Sequence, residues 1–209
     1  MKSKKNLLSS AKLYVLIDTK ICKNPFLTAK TAVLNGVDML QLRSYNFSDS
    51  RLLELAKKIR RICASYNCLF IINNRADIAY LCKADGVHLG QADIEIKNAK
   101  SIMSKKAIFG SSCHSKKELK KAINDRFDYV SAGPVFKTRT KAEYKPIGIK
   151  NTLDIFNNKK ISTFAIGGIT RLNLITLTKK GINKIALCEE VCKTKNIKST
   201  IKLLKKKLN

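Results

Sequence analysis

Polar residues of the kind that grip phosphate recur at the ends of short apolar runs along this 209-residue chain. Gln41-Leu42-Arg43, Asn73-Asn74-Arg75, His88-Leu89-Gly90-Gln91 with Asp93, Ser111-Ser112-Cys113-His114, the stretch from Gly133 to Lys141, and Gly167-Gly168 all stand in such positions. Together they offer amides, hydroxyls, several cations and a carboxylate, a set suited to charge-assisted hydrogen bonds to phosphate oxygens. In Thr138-x-Thr140-Lys141 two hydroxyls and an ammonium on one loop can wrap an oxyanion as the loop closes. Gly167-Gly168 before Thr170 offers bare backbone N–H groups at a helix start, although such a pair also serves as a plain turn. His114 could shuttle a proton near neutral pH, while a lone histidine after an apolar strand is more often structural. His88 reads as a packed strand residue. Asp93 either holds Mg2+ together with substrate phosphates or caps a helix beginning near Ile94.

These groups need a frame, and the patterning supplies one. Apolar β-rich runs at Leu13 to Asp18, Met39 to Arg43, Cys68 to Asn73, Gly86 to Gly90, Ala107 to Cys113, Tyr129 to Val135, Thr163 to Gly168 and Lys184 to Cys188 read as strands. Between them, stretches of helical period run from Phe26 to Asn35, Ser48 to Ser65, Asp77 to Cys82, Ile94 to Ser104, Ser115 to Asn124, Asn151 to Asn157 and Arg171 to Lys179, and Ile197 to Leu208 closes the chain. Ser115 with Glu118 three residues on has capping-box spacing, and Gly181 after Lys179-Lys180 is a helix stop. Regular strand–helix alternation predicts an α/β fold, a single-domain (β/α)8 TIM barrel over residues 11–209, preceded by a flexible Lys-rich lead-in over residues 1–10. An open doubly wound sheet is the alternative, but no Gly-rich dinucleotide turn follows the first strand. In a barrel, the C-terminal ends of the strands form the active face, which is where the polar groups cluster.

Composition narrows the function. Apolar residues at 44% and charged residues at 27%, with 3 Pro and 9 Gly, exclude collagen-like and mostly disordered chains. No apolar run approaches the roughly eighteen residues of a spanning helix, so no membrane partner is expected. Lys12 interrupts the apolar part of a signal-like start. Seven cysteines without a CxxC pair read as reduced thiols of a cytoplasmic protein rather than disulfides or zinc ligands. Forty-two basic against 15 acidic residues leave a net charge of +27, which calls for anionic partners or a solvated basic surface. A nucleic-acid-binding barrel is disfavoured, because the lysines cluster on helical stretches without interleaved arginines or aromatics. Attraction of phosphorylated substrates suits the same charge.

Gln41-Leu42-Arg43, Phe70 to Arg75, Ala84-Asp85-Gly86-Val87-His88-Leu89-Gly90-Gln91-Ala92-Asp93, Gly133-Pro134-Val135-Phe136 with Thr138-x-Thr140-Lys141, and Ala165-Ile166-Gly167-Gly168-Ile169 resemble the motifs of the thiamine-phosphate synthase and thiazole tautomerase superfamily. Order and spacing match from Leu13 to Val191. The resemblance implies a (β/α)8 barrel and a Mg2+-dependent transferase of thiamine biosynthesis, joining a pyrimidine diphosphate to a thiazole phosphate with release of diphosphate. It implies Arg43, Ser112 and Lys141 as catalytic residues. Gln41, Arg43, Asn73, Ser112 and Lys141 would bind the pyrimidine diphosphate, and Thr138, Thr140 and Gly168 the thiazole phosphate. Leu42, Ser44, Tyr45, Arg139, Cys188 and Glu189 complete the implied substrate-binding set, with Asn74 and Asp93 as the metal positions. A homo-oligomer is compatible with the resemblance.

Three positions depart from the family pattern. Tyr45 stands where a lysine is usual, Asn74 where an aspartate is usual, and Glu189 where a small serine is common. The first removes a cation from the diphosphate, the second weakens a metal ligand, and the third sets a negative charge against a phosphate. Tyr45 and Asn74 suit the tautomerase branch, in which His114 would move a proton; Arg43, Asp93 and the Thr138-x-Thr140-Lys141 loop suit the synthase.

Overall fold

The eight apolar runs form eight parallel strands in the computed structural model, which describes residues 3–138 and 144–208. They are β1 (Leu13–Asp18), β2 (Met39–Arg43), β3 (Leu69–Asn73), β4 (Gly86–Leu89), β5 (Ile108–Cys113), β6 (Tyr129–Ala132), β7 (Ser162–Ile166) and β8 (Ile185–Leu187). Each pairs with the next, and β8 pairs with β1, closing a barrel. Helices α1 (Lys4–Ser10), α2 (Pro25–Leu34), α3 (Asp49–Ser65), α4 (Ala76–Leu81), α5 (Ile96–Ile102), α6 (Lys116–Asn124), α7 (Gly148–Phe156), α8 (Leu174–Thr178), α9 (Glu189–Cys192) and α10 (Ile197–Leu208) complete a single-domain (β/α)8 barrel. The strands read as unbroken apolar runs because both faces are covered, one by the barrel interior and one by helices.

Period two then decides what each strand sends inward. Leu13, Val15, Ile17, Leu40, Leu42, Phe70 and Ile72 pack outward in the layer beneath the helices. Tyr14, Leu16, Met39, Leu69, Ile71, Ile108, Tyr129, Phe164 and Ala186 fill the interior. Following the same parity toward the C-terminal ends leads to Asp18, Gln41, Arg43, Asn73, His88, Ser112, Ser131, Gly133 and Cys188. The interior is therefore apolar and aromatic below and polar above. Gly110 makes room for it: a Cβ there would lie 2.0 Å from the Tyr129 ring.

The chain start differs from the expected flexible lead-in. Residues 4–10 form α1, with Ser3 accepting from the Asn6 N–H as its cap, and Leu8 buried against the lower interior. Lys4 pairs with Asp85 at 3.1 Å and Lys184 donates to the Ser9 carbonyl at 2.6 Å. The lysines signal solvent, but Leu7, Leu8 and Ala11 cover the otherwise open floor of the barrel. The lysine clusters at residues 57–58, 116–117, 120–121 and 205–207 lie on helices as expected, whereas Lys179 and Lys180 follow the end of α8 at Thr178.

Candidate active site

A cavity of about 420 Å³ opens at the C-terminal ends of the strands. It collects Gln41, Arg43, Asn73, Ser112, His114, Thr138, Gly168, Cys188 and Glu189 from six separate stretches of chain, as their strand-end positions anticipate. His88, expected to be a packed strand residue, is buried but also lines the cavity. The side chain of Leu42 faces the helix layer instead, because alternation within Gln41-Leu42-Arg43 sends only its neighbours inward. Arg139, Thr140 and Lys141 lie outside the described residues.

At one side Arg43 forms an ion pair through Nη1 with Asp18, whose carboxylate is only 1% exposed. Its Nε is buried without a partner among the described residues, so one N–H remains for a ligand. The guanidinium lies 4.6 Å from the centroid of the Tyr45 ring, and the Lys20 ammonium lies 5.9 Å from that centroid. Tyr45 is 54% exposed, and its hydroxyl accepts from Asn73 Nδ2 at 3.3 Å and Asn74 Nδ2 at 3.0 Å. Ser44 sits on the same rim and accepts from Thr19 Oγ1 at 2.8 Å. Arg75 turns away to hold Asp77 and Asp49, each at 2.7 Å, and those bonds push its guanidinium pKa further up.

Asn74 and Asp93 follow the adjacent strands β3 and β4. Of the two roles open to Asp93, helix capping is not the one taken: α5 begins at Ile96, and Asp93 Oδ2 accepts the Gly90 N–H at 2.5 Å across a tight turn. Among the described residues no cluster of three or more His, Cys, Asp or Glu could hold a metal alone. Asn74 has its amide nitrogen committed to Tyr45, so one amide oxygen and one carboxylate oxygen are available. Such a half-set fits Mg2+, which keeps waters and shares its shell with substrate phosphates.

Across the cavity, Gly167 and Gly168 have φ of 97° and 64° and lie beside Thr170, Glu189, Glu190 and Lys193. They are not at a helix start, since α8 begins only at Leu174; Asn173 holds the intervening turn by donating to the Gly168 carbonyl at 2.9 Å. A Cβ on Gly168 would lie 2.5 Å from the Lys137 carbonyl oxygen. Glu189 pairs with Lys193 at 3.0 Å, and Arg171 approaches Glu190 at 3.5 Å. His114 is held by Glu118, which accepts from its backbone N–H at 2.7 Å and meets Nδ1 at 2.9 Å, while the ring stacks on Tyr144 at 4.7 Å. Ser115 caps α6 as its spacing predicts, but the Glu118 carboxylate reaches back one residue further, to His114.

Sequence reasoning missed the layer beneath. Gln41 donates to the Tyr14 hydroxyl, which is 3.0 Å from the Tyr129 hydroxyl; Tyr129 is 3.0 Å from His88 Nδ1, and His88 Nε2 is 3.1 Å from Ser112 Oγ. Burial pushes both phenol pKa values well up, keeping them protonated. Gln41 Oε1 and Ser131 Oγ are buried beside the cavity without a partner among the described residues. Strand parity, counted from Gln41, His88 and Ser112, was the available signal for Tyr14, Tyr129 and Ser131.

A cavity at the C-terminal mouth of a (β/α)8 barrel, lined by Arg43 on one side and by Gly167 and Gly168 on the other, lies where barrels of this class carry their active sites. The family model for thiamine monophosphate synthase matches residues 13–191, and the chain belongs to that family. It is 35% identical over 208 residues to the thiamine-phosphate synthase of Prochlorococcus marinus subsp. pastoris, covering 100% of this chain and 59% of that protein. It is 34% identical over 204 residues to the thiamine-phosphate synthase of Fusobacterium nucleatum subsp. nucleatum, covering 97% and 99%. The chain thus spans 59% of the length of the first relative and nearly all of the second. Among solved structures, thiamine phosphate pyrophosphorylase from Pyrococcus furiosus superposes with a TM-score of 0.88 at 31% identity, covering 98% of this chain and 96% of that one.

Proposed function

We propose that this barrel is a thiamine-phosphate synthase, joining 4-amino-2-methyl-5-(diphosphooxymethyl)pyrimidine to 4-methyl-5-(2-phosphooxyethyl)thiazole. The observation that carries the reading is the Arg43 side of the cavity, where the Arg43 Nε–H and the Gln41 side-chain carbonyl, on residues lining one cavity, are both buried without a partner among the described residues. These are the two contacts that a diphosphate and an aminopyrimidine would fill. Family membership and relatives bearing the synthase name support it.

In this reading the methylene C–O bond breaks, diphosphate leaves with the bonding electrons, and the thiazole nitrogen supplies the pair for the new C–N bond. The barrier falls mainly through stabilisation of the departing charge. Arg43, fixed by Asp18 and by the Tyr45 ring, meets diphosphate oxygens with the N–H groups its ion pair leaves over. Asn73 and Ser112 position the pyrimidine, and Lys141, which lies outside the described residues, would add a further cation. Asn74 and Asp93 would hold Mg2+, which when bound neutralises the diphosphate charge. Opposite, Gly168 and Thr138, together with Thr140 and Arg139, would take the thiazole phosphate, with Cys188 and Glu189 lining its approach. The chain is read as cytoplasmic, and a homo-oligomer is compatible with the site.

His114, oriented by Glu118 at the cavity wall, supports a second reading as a thiazole tautomerase that moves a proton at His114. Incubation with both substrates and Mg2+, followed by mass spectrometry, separates the two. The synthase reading expects thiamine phosphate, with Lys141→Ala losing far more turnover than Lys117→Ala on α6. No thiamine phosphate, with thiazole isomerisation abolished by His114→Ala, would establish the tautomerase instead.

A further inference from the structure

We propose that a basic recess at the floor of the barrel, on the face opposite the active-site cavity, binds a polyphosphate chain of three or more linked phosphates, free or carried on a nucleoside. The recess is a second cavity, of about 350 Å³, at the N-terminal end of β5. It is lined by Lys4 and Lys5 of α1, Lys100 of α5, Lys105 and Lys106 of the turn that follows, and Arg126 beyond α6. Three segments distant in sequence thus bring six cations to one hollow. The proposal does not depend on the synthase reading.

A lysine needs no ligand where a carboxylate answers it, and several on this protein's helices are answered. Lys58 has Glu54, Lys121 has Asp125 and Lys193 has Glu189, each one turn away. In the recess only Lys4 has such a partner among the described residues, Asp85 at 3.1 Å, and Arg60 shares that carboxylate at 3.4 Å. Lys100 Nζ donates to the Asp125 and Arg126 carbonyls at 3.3 and 3.4 Å, which leaves its charge unneutralised. The side chains of Lys5, Lys105, Lys106 and Arg126 have no hydrogen bond or ion pair among the described residues. The wall carboxylate, Asp128, accepts the Phe109 N–H at 2.8 Å. With Lys4 set aside as answered by Asp85, five cations against Asp128 leave a net charge of +4.

Like charges gathered in a recess focus their field and concentrate anions there. The turn that presents two of them is fixed: Ser104 accepts the Lys106 N–H through Oγ at 3.2 Å and the Ala107 N–H through its carbonyl at 2.8 Å. A single phosphate, with about two negative charges near neutral pH, would answer half of the wall charge and leave most of the volume unused. A chain of three carries about four to five charges, and its oxygens can take charge-assisted hydrogen bonds from more than one segment. Phe109 is only 5% exposed, so the recess offers no ring face on which a base could stack, and recognition falls on the phosphates. Binding also acts on α1. Docking that helix sets Lys4 and Lys5 against the other four cations, a repulsion that the burial of Leu8 must overcome. An anion between the two groups relieves the repulsion and binds the docked state alone, so it shifts α1 toward that state.

Calorimetric titration of the whole chain with tripolyphosphate, without Mg2+, reads the affinity, and amide hydrogen exchange reads the place. Exchange is expected to slow in α1 and in residues 104–109. Lys105→Gln combined with Lys106→Gln is expected to weaken binding by about tenfold or more at low salt and to abolish that slowing. Lys57→Gln combined with Lys58→Gln removes the same charge from α3 and should leave both readouts unchanged. Orthophosphate should bind at least about a hundredfold more weakly than tripolyphosphate. Equal affinity for tripolyphosphate and a nucleoside triphosphate assigns the phosphate chain itself; binding of the nucleotide tighter by about tenfold assigns the nucleoside-borne form. Equal losses in the two lysine pairs would reduce the recess to general surface charge. Slowing confined to segments around Arg43 and Gly168 would place the anion in the active-site cavity alone, and an oligonucleotide protecting α1 where tripolyphosphate does not would make the ligand a nucleic acid. Each of these three results overturns the proposal.

Discussion

Replacing Arg43 with methionine separates its structural role from its chemical one. The Asp18 carboxylate is buried; Oδ1 takes the Lys20 N–H at 2.9 Å, and Oδ2 depends on Arg43. Removing one member of a buried pair leaves an uncompensated charge, costing about 3–5 kcal/mol. Loss of the stack on Tyr45 adds roughly 0.5–1 kcal/mol. With a urea m-value near the upper end for single domains, about 3 kcal/mol per molar, the unfolding midpoint should fall by roughly 1–2 M. Adding Asp18→Asn removes the stranded charge and should recover most of that loss. Turnover should not recover, because the cation facing the leaving group is gone, and a deficit of about 10²–10³ is expected in both variants. Urea unfolding followed by circular dichroism, with steady-state turnover at saturating Mg2+, reads the two quantities separately. A stability change below about 1 kcal/mol in Arg43→Met, or activity returning with stability in the double variant, would refute the reasoning.

Other changes address the rest of the cavity. Asn74→Asp supplies the second carboxylate that the metal half-set lacks, so the Mg2+ concentration giving half-maximal rate should fall several-fold; a rise would mean the ion is held elsewhere. Gly168→Ala forces a side chain onto φ of 64° and to 2.5 Å from the Lys137 carbonyl, so KM for the thiazole phosphate should rise while that for the pyrimidine diphosphate stays near wild type, at a stability cost of about 1–3 kcal/mol. Glu189→Ser removes the carboxylate that occupies Lys193 and should lower KM for the thiazole phosphate, an effect that fades with added salt; an unchanged KM would show that Glu189 does not face that group.

Much of this arrangement was legible before any coordinates. The limits of β1, β2 and α10 coincide with the apolar runs and helical period that announced them, because those segments are covered on the faces the pattern implies. Gln41, Arg43, Asn73 and Ser112 converge because each stands at an inward position near the end of its strand. The outward turn of the Leu42 side chain escapes a reading that takes the motif as contiguous, because the pleat splits it. Helix α1 was hidden by its lysines, and α9 is too short to carry a period. Tyr14 and Tyr129 looked like ordinary core aromatics, since a sequence does not show which hydroxyls meet across a barrel.

The central claim concerns one bond, between a methylene carbon and a diphosphate oxygen. Phosphorus-31 NMR of the purified protein with Mg2+ and both substrates follows that bond directly. The account predicts that the diphosphate ester signal decays only when the thiazole phosphate is present, with free diphosphate and a new phosphomonoester rising in equal amounts. Ester decay without the thiazole, or no decay under any condition, would contradict it.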